Sequence, residues 1–304
     1  MTSINIETLL TIVYVLVDDW YLAKGSKFLV GKVGRKPRFS DSEMMCLMIA
    51  EDYIPYPAET QYIEFIRANH CDLFPELLSQ SQFNRRARQL RLLVEELRRE
   101  WLRELAVLEE GRYLLDTKPV PVVGYKRTKS HSEFRGSADY GYCASRKLFY
   151  FGYKLVMVST LDGLPIVYDL VPANTDERQA AEVVLAHLNG VEVIGDKGFL
   201  GEDWQAEIYE QTKSVILTPK RKNQKKQHDK AFQRLLNSAR ERIEGVFHEI
   251  QNTGRHLEHL LAKTLDGLSA RIIAKVTAHL LRYRLKLDFG IDVQTFSWDS
   301  EYAF

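Results

Sequence analysis

Cysteine is sparse in this 304-residue sequence: Cys46, Cys71 and Cys143 stand far apart, and no Cys-x-x-Cys pair occurs. That usage supports neither a disulfide framework nor a zinc site, and it suits a reducing compartment. Nor is there any run of the roughly 18 apolar residues that reads as a membrane span. The opening Met-Thr-Ser-Ile-Asn-Ile-Glu carries no basic segment followed by a cleavable apolar stretch. The expectation is a cytoplasmic protein, neither secreted nor membrane-spanning. A glycine-rich Walker loop is missing, which argues against ATP use. The eight histidines are scattered. The pairs Glu244/His248 and His256/His259 have helical spacing but are no more than chance provides, and no Ser-His-Asp arrangement can be read. Internal repeats are absent as well.

What is present is ordinary globular material with an uneven charge. The length allows about two domains, and 45% hydrophobic with 27% charged residues suffices for a substantial core. The net charge of +1 conceals three basic windows: residues 213–242 hold ten Lys/Arg against two acids, 124–154 seven against two, and 85–103 seven against three. Segregation of this kind gives a polyanion-binding face to a nearly neutral chain, although each window alone reads equally as a solvated helix or loop face.

The first hundred residues read as helical: Ile6 to Trp20, about Ser42 to Asp52, Thr60 to Arg67, and Ser81 to Leu108, with Pro55, Pro57 and Pro75 as breaks. Ser40 and Asp41, ahead of Glu43 and the run Met44, Met45, Leu47, Met48, Ile49, form a capped helix start. In the last of these helices Phe83, Ala87, Leu90, Val94 and Leu97 make an apolar stripe. Arg85, Arg86, Arg88, Arg91 and Arg98 fall largely off it, so Arg85 and Arg86 are candidates for phosphate contact or members of a solubilising face.

After Gly111 strands take over: Arg112 to Asp116, Phe149 to Ser159, and Pro165 to Val171, the last two joined by an Asp162-Gly163 turn. A helix from about Asp176 to Leu188, a strand from Val191 to Ile194, a helical turn or two from Trp204 to Glu210, and a strand from Ser214 to Leu217 follow. This succession describes a mixed sheet flanked by helices. Between Pro219 and His228 a polar run with Lys220, Arg221, Lys222, Lys225 and Lys226 is expected to be a mobile loop that a nucleic-acid backbone would order. Helical period resumes from Asp229 through Phe232, Leu235, Leu236, Ala239, Ile243, Val246, Phe247 and Ile250, and again from about Ala262 to Lys286. The reading divides the chain into a helical region at 1–108, an α/β domain at 109–287 and an aromatic tail at 288–304.

Three acids carry the chemistry. Asp116 ends Arg-Tyr-Leu-Leu-Asp, Asp196 lies between Val-Ile-Gly and Lys-Gly-Phe, and Glu244 stands at the margin of a helical stripe in Arg-Glu-Arg-Ile-Glu-Gly-Val-Phe. A carboxylate at the end of an apolar strand is costly to bury unless a charged partner receives it. Two strand-end acids and a helical one can converge where two Mg²⁺ or Mn²⁺ ions would find oxygen ligands and drive phosphoryl transfer. Each has a bland reading too: a turn-amide acceptor for Asp116, a short common motif for Asp196, an ion pair with Arg240 for Glu244. Their order raises all three, because gaps of 80 and 48 residues leave room for the sheet and then for the basic segment just before the last acid. Lys197 and Arg240 would hold a DNA strand beside the metals, one by point charge and the other by bidentate contact.

Six motifs run in register from Gly111 to about Tyr283: Asp-Thr-Lys-Pro-Val-Pro-Val, Tyr-Gly-Tyr-Cys-Ala-Ser-Arg-Lys, Phe-Gly-Tyr-Lys-Leu, Pro-Ala-Asn-Thr-Asp, Gly-Asp-Lys-Gly-Phe-Leu-Gly and Arg-x-x-Ile-Glu-x-x-Phe. In them the chain closely resembles the DDE transposases of bacterial insertion sequences, with a weaker likeness at Pro37-Arg-Phe-Ser-Asp-Ser-Glu and Ser81-Gln-Phe-Asn-Arg-Arg. The resemblance implies a ribonuclease-H-like fold with Asp116, Asp196 and Glu244 as metal ligands. It also implies a reaction in which water and then a DNA 3′-hydroxyl attack phosphodiesters. Double-stranded DNA, both element ends and target, would be the partner. The helical region would recognise the ends, a homo-oligomer would assemble on them, and the protein would be nucleoid-associated. Thr117, Val156, Asn237 and Gln251 depart from the usual Ser, His, Tyr and Lys of such proteins, and Gln251 removes a phosphate-reaching charge that Arg255 could partly replace. A nuclease that only hydrolyses, and an inactive DNA-binding repressor, are the rival readings.

Overall fold

The computed structural model describes residues 4–29, 37–54, 56, 58–105, 111–123, 132–143, 147–220, 228–252 and 256–293. Arg221, Lys222, Lys225 and Lys226 of the expected loop, Arg255, and most of the aromatic tail lie outside the described residues. The chain begins with four helices, α1 (Ile6–Ala23), α2 (Asp41–Ala50), α3 (Glu59–Asn69) and α4 (Gln80–Glu104). Next come β1 (Arg112–Val123), β2 (Asp139–Cys143), β3 (Leu148–Thr160) and β4 (Pro165–Pro172), then α5 (Glu177–Leu185), β5 (Glu192–Gly195), α6 (Glu202–Thr212), β6 (Val215–Leu217), α7 (Lys230–Asn252) and α8 (Leu265–Phe289). No helix among the described residues is long and apolar enough to cross a membrane.

Packing divides the chain into two units, Met1–Leu105 with Asn252–Phe304, and Ala106–Gln251. The first is helical. Ser40 caps α2 as expected, its hydroxyl accepting from the Glu43 amide while the Glu43 carboxylate accepts from the Ser40 amide. Every residue of α2 from Met44 to Ala50 is buried, so this short helix has no wet face and is the hub of the bundle. The stripe of α4 is buried as read, extended by Trp101, and α4 packs against α8. By packing, α8 groups with Met1–Leu105. Leu268, Ile272, Val276 and Leu280 are buried along it; their spacing shows that a face is covered but not what covers it. Charge is buried here as well: Lys275 Nζ lies 2.6 Å from Asp52, whose other oxygen meets Arg282 at 3.2 Å.

The second unit is built on a mixed sheet in the order β2-β3-β1-β5-β6, with β4 also on β3. β3 is long enough to pair along one edge first with β2, over Leu148–Gly152, and then with β4, over Tyr153–Ser159. Its other edge pairs antiparallel with β1, and β1, β5 and β6 run parallel. This is the ribonuclease-H-like plan. β2 was not foreseen, since its sequence Asp-Tyr-Gly-Tyr-Cys lacks a continuous apolar run. The other strands were placed to within a few residues except β1, which runs seven residues past the expected end at Asp116. One face of the sheet, with Tyr113, Leu115, Val156, Val158 and Val193, packs under Ala180, Val184, Trp204 and Ile208 of α5 and α6. Val156 therefore serves the core. On α7, Leu236, Ala239, Ile243, Val246, Phe247 and Ile250 are buried, and Arg242 donates to the carbonyl of Asp162 in the β3–β4 turn. Gly163 in that turn has φ +91°, a conformation that favours glycine, and a Cβ there would also press on the Arg242 guanidinium.

Candidate active site

β1 and β5 pair in parallel from Arg112↔Glu192 to Leu115↔Gly195. The next residue on each chain is an acid, so Asp116 and Asp196 occupy adjacent positions where the parallel ladder opens. Asp116 is not a strand tip as the sequence suggested, because β1 stays in register with β3 as far as Pro121 and, after a shift, pairs on to Val123, with Asp116 opposite Met157. Only the β5 side is lost beyond Leu115. Pro119 and Pro121 fit a strand with one free edge, where no ladder donor is needed.

Asp116 is partly buried, and one of its oxygens accepts from the Thr117 amide at 2.7 Å. Loss of solvent pushes its carboxyl up to about 7; the Thr117 amide opposes this, while the charges of Asp196, Glu177 and Glu244 add to it. Asp196 opens a short helical turn, Lys197–Phe199, and accepts from the Gly198 amide at 2.5 Å. Glycines on both sides of it leave room for its neighbours: a Cβ at Gly195 would lie 2.7 Å from the Phe199 ring, and one at Gly198 would displace the Glu177 carboxylate. Glu244 is exposed on α7, off the buried stripe.

All three acids line one cleft of about 670 Å³, together with Glu177, Lys118, Lys154, Tyr142, Tyr150 and His248. Sequence reasoning missed Glu177, Lys154 and Tyr142 as participants, although each falls in or directly beside a motif that had been noted for its pattern. His248, whose spacing from Glu244 is no more than chance provides in sequence, lines the same cleft. The Glu177 carboxyl is raised from its ordinary value, first by lost solvent and then by Asp196, with Lys154 opposing. Lys154 also donates to the Thr175 carbonyl just before α5.

The remaining candidates are placed elsewhere. Lys197 is exposed on its turn and Lys220 half-buried past β6, and neither is a wall of the cleft. Arg240 lies on α7, its side chain outside what is described. In the helical unit Arg85 is exposed, whereas Arg86 is committed to Asp41 at 2.6 Å and to the Phe39 carbonyl.

Among the described residues no three His, Cys, Asp or Glu side chains lie close enough together to hold a metal ion between them. The acids share a cleft without forming a cage. The donor set still suits a hard cation: it consists of carboxylate oxygens, and burial first, then repulsion among them, raises the Asp116 carboxyl to about 7. A ribonuclease-H-like sheet with acids at its opening is the frame of nucleases and transposases. A family model, the transposase DDE domain, matches residues 108–281, more than half of the chain. The chain belongs to that family. No curated protein and no solved structure matches it.

Proposed function

We propose that this chain is a transposase that cuts DNA at the ends of an insertion sequence and joins the freed 3′ ends to target DNA, with Asp116, Asp196 and Glu244 holding two divalent cations, Mg²⁺ or Mn²⁺. The observation that supports it best is the shared position of Asp116 and Asp196 just past the last parallel pair, Leu115↔Gly195, on a cleft that Glu244 also lines. Magnesium is held by one or two carboxylates with waters and substrate phosphate oxygens completing the shell, so an open arrangement suits it better than a closed cage. Once bound, such ions supply Lewis acidity and charge neutralisation for in-line displacement at phosphorus.

The protein's own work is positioning. Lys118 and Lys154 on the cleft walls hold the phosphate backbone against the acids. The Gly198 and Thr117 amides fix the carboxylates of Asp196 and Asp116. Helix α7, tied to the Asp162 carbonyl through Arg242, presents Glu244. The basic segment Lys220, Arg221, Lys222, Lys225, Lys226, with Lys197 and Arg240, adds phosphate contacts, and a homo-oligomer brings two element ends together.

The test is incubation of purified protein with its element ends, Mg²⁺ or Mn²⁺ and a target plasmid, scoring free 3′-hydroxyl ends and joined products. Asp116→Asn is expected to abolish cutting while still retarding the end DNA in a gel, since binding rests on the basic surfaces. Equal loss of cutting and binding in a folded variant would overturn the assignment. Cutting without joining identifies a hydrolytic nuclease, and binding without cutting identifies a repressor.

A further inference from the structure

Tyr150 brings to the cleft a hydroxyl that the reaction as described leaves idle. It stands on β3 as a wall of the same cleft as Asp116, Asp196 and Glu177, and only 3% of it is exposed. Its ring lies across Gly141, its cross-strand partner. A Cβ at 141 would come within 2.9 Å of Cζ, the ring carbon that carries the hydroxyl, and within 2.8 Å of the Ala173 Cβ. The bare glycine is therefore the seat of the ring and pins its polar end. Alternate residues of a strand share a face, so Lys154, another wall of the cleft, leaves β3 on the same side as Tyr150. Burial first, then Cys143 and Glu177, raise the phenol above its ordinary value, so the hydroxyl keeps its proton at neutral pH and can donate.

Buried tyrosine hydroxyls usually find a hydrogen-bond partner. Tyr153 on the same strand meets the Ser137 hydroxyl at 2.7 Å, and in the helical unit Tyr62 donates to the Leu47 carbonyl at 2.8 Å. Tyr150 has no such partner among the described residues. Its acceptor has to enter the cleft from outside. We propose that the Tyr150 hydroxyl donates to a non-bridging oxygen of the DNA phosphate that lies against Asp116 and Asp196, sharing that phosphate with Lys154. The inference rests on the reading of the cleft as a DNA-processing site. On that reading the carboxylates are committed to cations, and phosphate oxygens are the acceptors that arrive with the strand. A neutral phenol adds direction without competing with the cations for charge. A donor already pinned in the empty cleft also needs no reorganisation when the phosphate comes in.

The alternative is a tyrosine kept for packing alone, and the test separates the two. The probe is a duplex of the element end with one methylphosphonate placed in turn at each phosphate across the element boundary, the two diastereomers being measured apart. Binding is followed by fluorescence anisotropy with Ca²⁺ as the divalent ion. Lost charge is common to both diastereomers, so the ratio of their affinities reports a single oxygen. Wild type is expected to tell the diastereomers apart at the phosphate that meets Tyr150. Tyr150→Phe, which removes the hydroxyl and leaves the ring on Gly141, is expected to shift that ratio by about tenfold or more, the strength of a hydrogen bond to a charged group. Ratios at the other phosphates stay as in wild type, and so does the melting temperature, because the free protein loses no hydrogen bond.

Ratios that are the same in Tyr150→Phe and wild type at every phosphate refute the contact, even if binding is weaker throughout. A fall in melting temperature with unaltered ratios assigns the hydroxyl to the fold and refutes it too. The wider reading fails separately: wild type that shows the ratio shift but never cuts with Mg²⁺ or Mn²⁺ keeps the contact and loses the transposase, whereas wild type that cuts and joins without the shift loses only the contact.

Discussion

At the scale of single residues, the acid that was easiest to find is also one whose burial costs the fold stability. In the folded chain the Asp116 carboxyl titrates at about 7, against an ordinary 3.8. Between those values the folded chain holds a proton that the unfolded chain has released. Stability therefore falls as pH rises through that window, and above the folded value the full penalty is in place. Asp116→Asn removes the penalty. It is expected to melt several degrees higher than wild type at pH 8 in metal-free buffer, with the difference closing as pH is lowered toward 4. Mg²⁺ should raise the melting temperature of wild type and leave that of the variant unmoved. Scanning fluorimetry across pH decides it: a variant no more stable than wild type at pH 8 means that the carboxylate is not strained by its neighbours.

The same residue marks what sequence can show. A charge after Tyr-Leu-Leu is conspicuous because apolar neighbours announce burial. Glu177 follows Asn-Thr-Asp and precedes Arg-Gln, where any acid looks like a helix start, and its place beside Asp196 exists only through the fold. Tyr142 lies inside a noted motif, Tyr-Gly-Tyr-Cys, but nothing in that motif tells that it borders the acids.

At the scale of elements, period and capping were legible. Strand pairing was not. The Ser40–Glu43 box, the α4 stripe and the α7 stripe could be drawn from spacing because they depend on residues a turn apart. The extent of β1 depended on β3, which keeps it extended past Asp116 although prolines at 119 and 121 argue against a central strand. The turn after β5 is where an element touches the chemistry. A Cβ at Gly198 would press on the Glu177 carboxylate and, at 2.9 Å, on an Asp196 oxygen. Both are ends of side chains that can yield, so the fold should tolerate Gly198→Ala with a small change in melting temperature. The carboxylates would be displaced, and displacements near an ångström at a reacting centre cost on the order of a hundredfold in rate. Single-turnover cleavage set beside thermal melting checks the split: a large fall in stability with a normal rate in the surviving fraction would refute it.

At the scale of the whole molecule, the α/β unit is inserted into the helical one, since the chain leaves the bundle after Leu105 and returns at Asn252. The family match runs across that return, ending at 281 within α8, so the length of chain that is recognisable and the unit that packs are different things. Periodicity placed α8 but could not name its partner, because an amphipathic stripe carries no address. The address lies in polar side chains that sequence could not pair. Asp52, beside α2, receives Lys275 and Arg282 from α8, and Arg282 lies over the Tyr53 ring, 5.3 Å from its centroid. Burial pushes the Lys275 ammonium below its ordinary value against the pull of Asp52.

Removing Asp52 leaves buried cations without their anion, a loss that typically costs about 3–5 kcal/mol. Asp52→Ala is therefore expected to shift the urea midpoint of the helical unit far more than a surface substitution would. Replacing both partners, Asp52→Ala with Lys275→Met, should recover much of the loss, because an apolar pair needs no compensation. If the double variant is no more stable than the single one, the network is not what seats the returning helix, and the apolar stripe of α8 carries the join by itself.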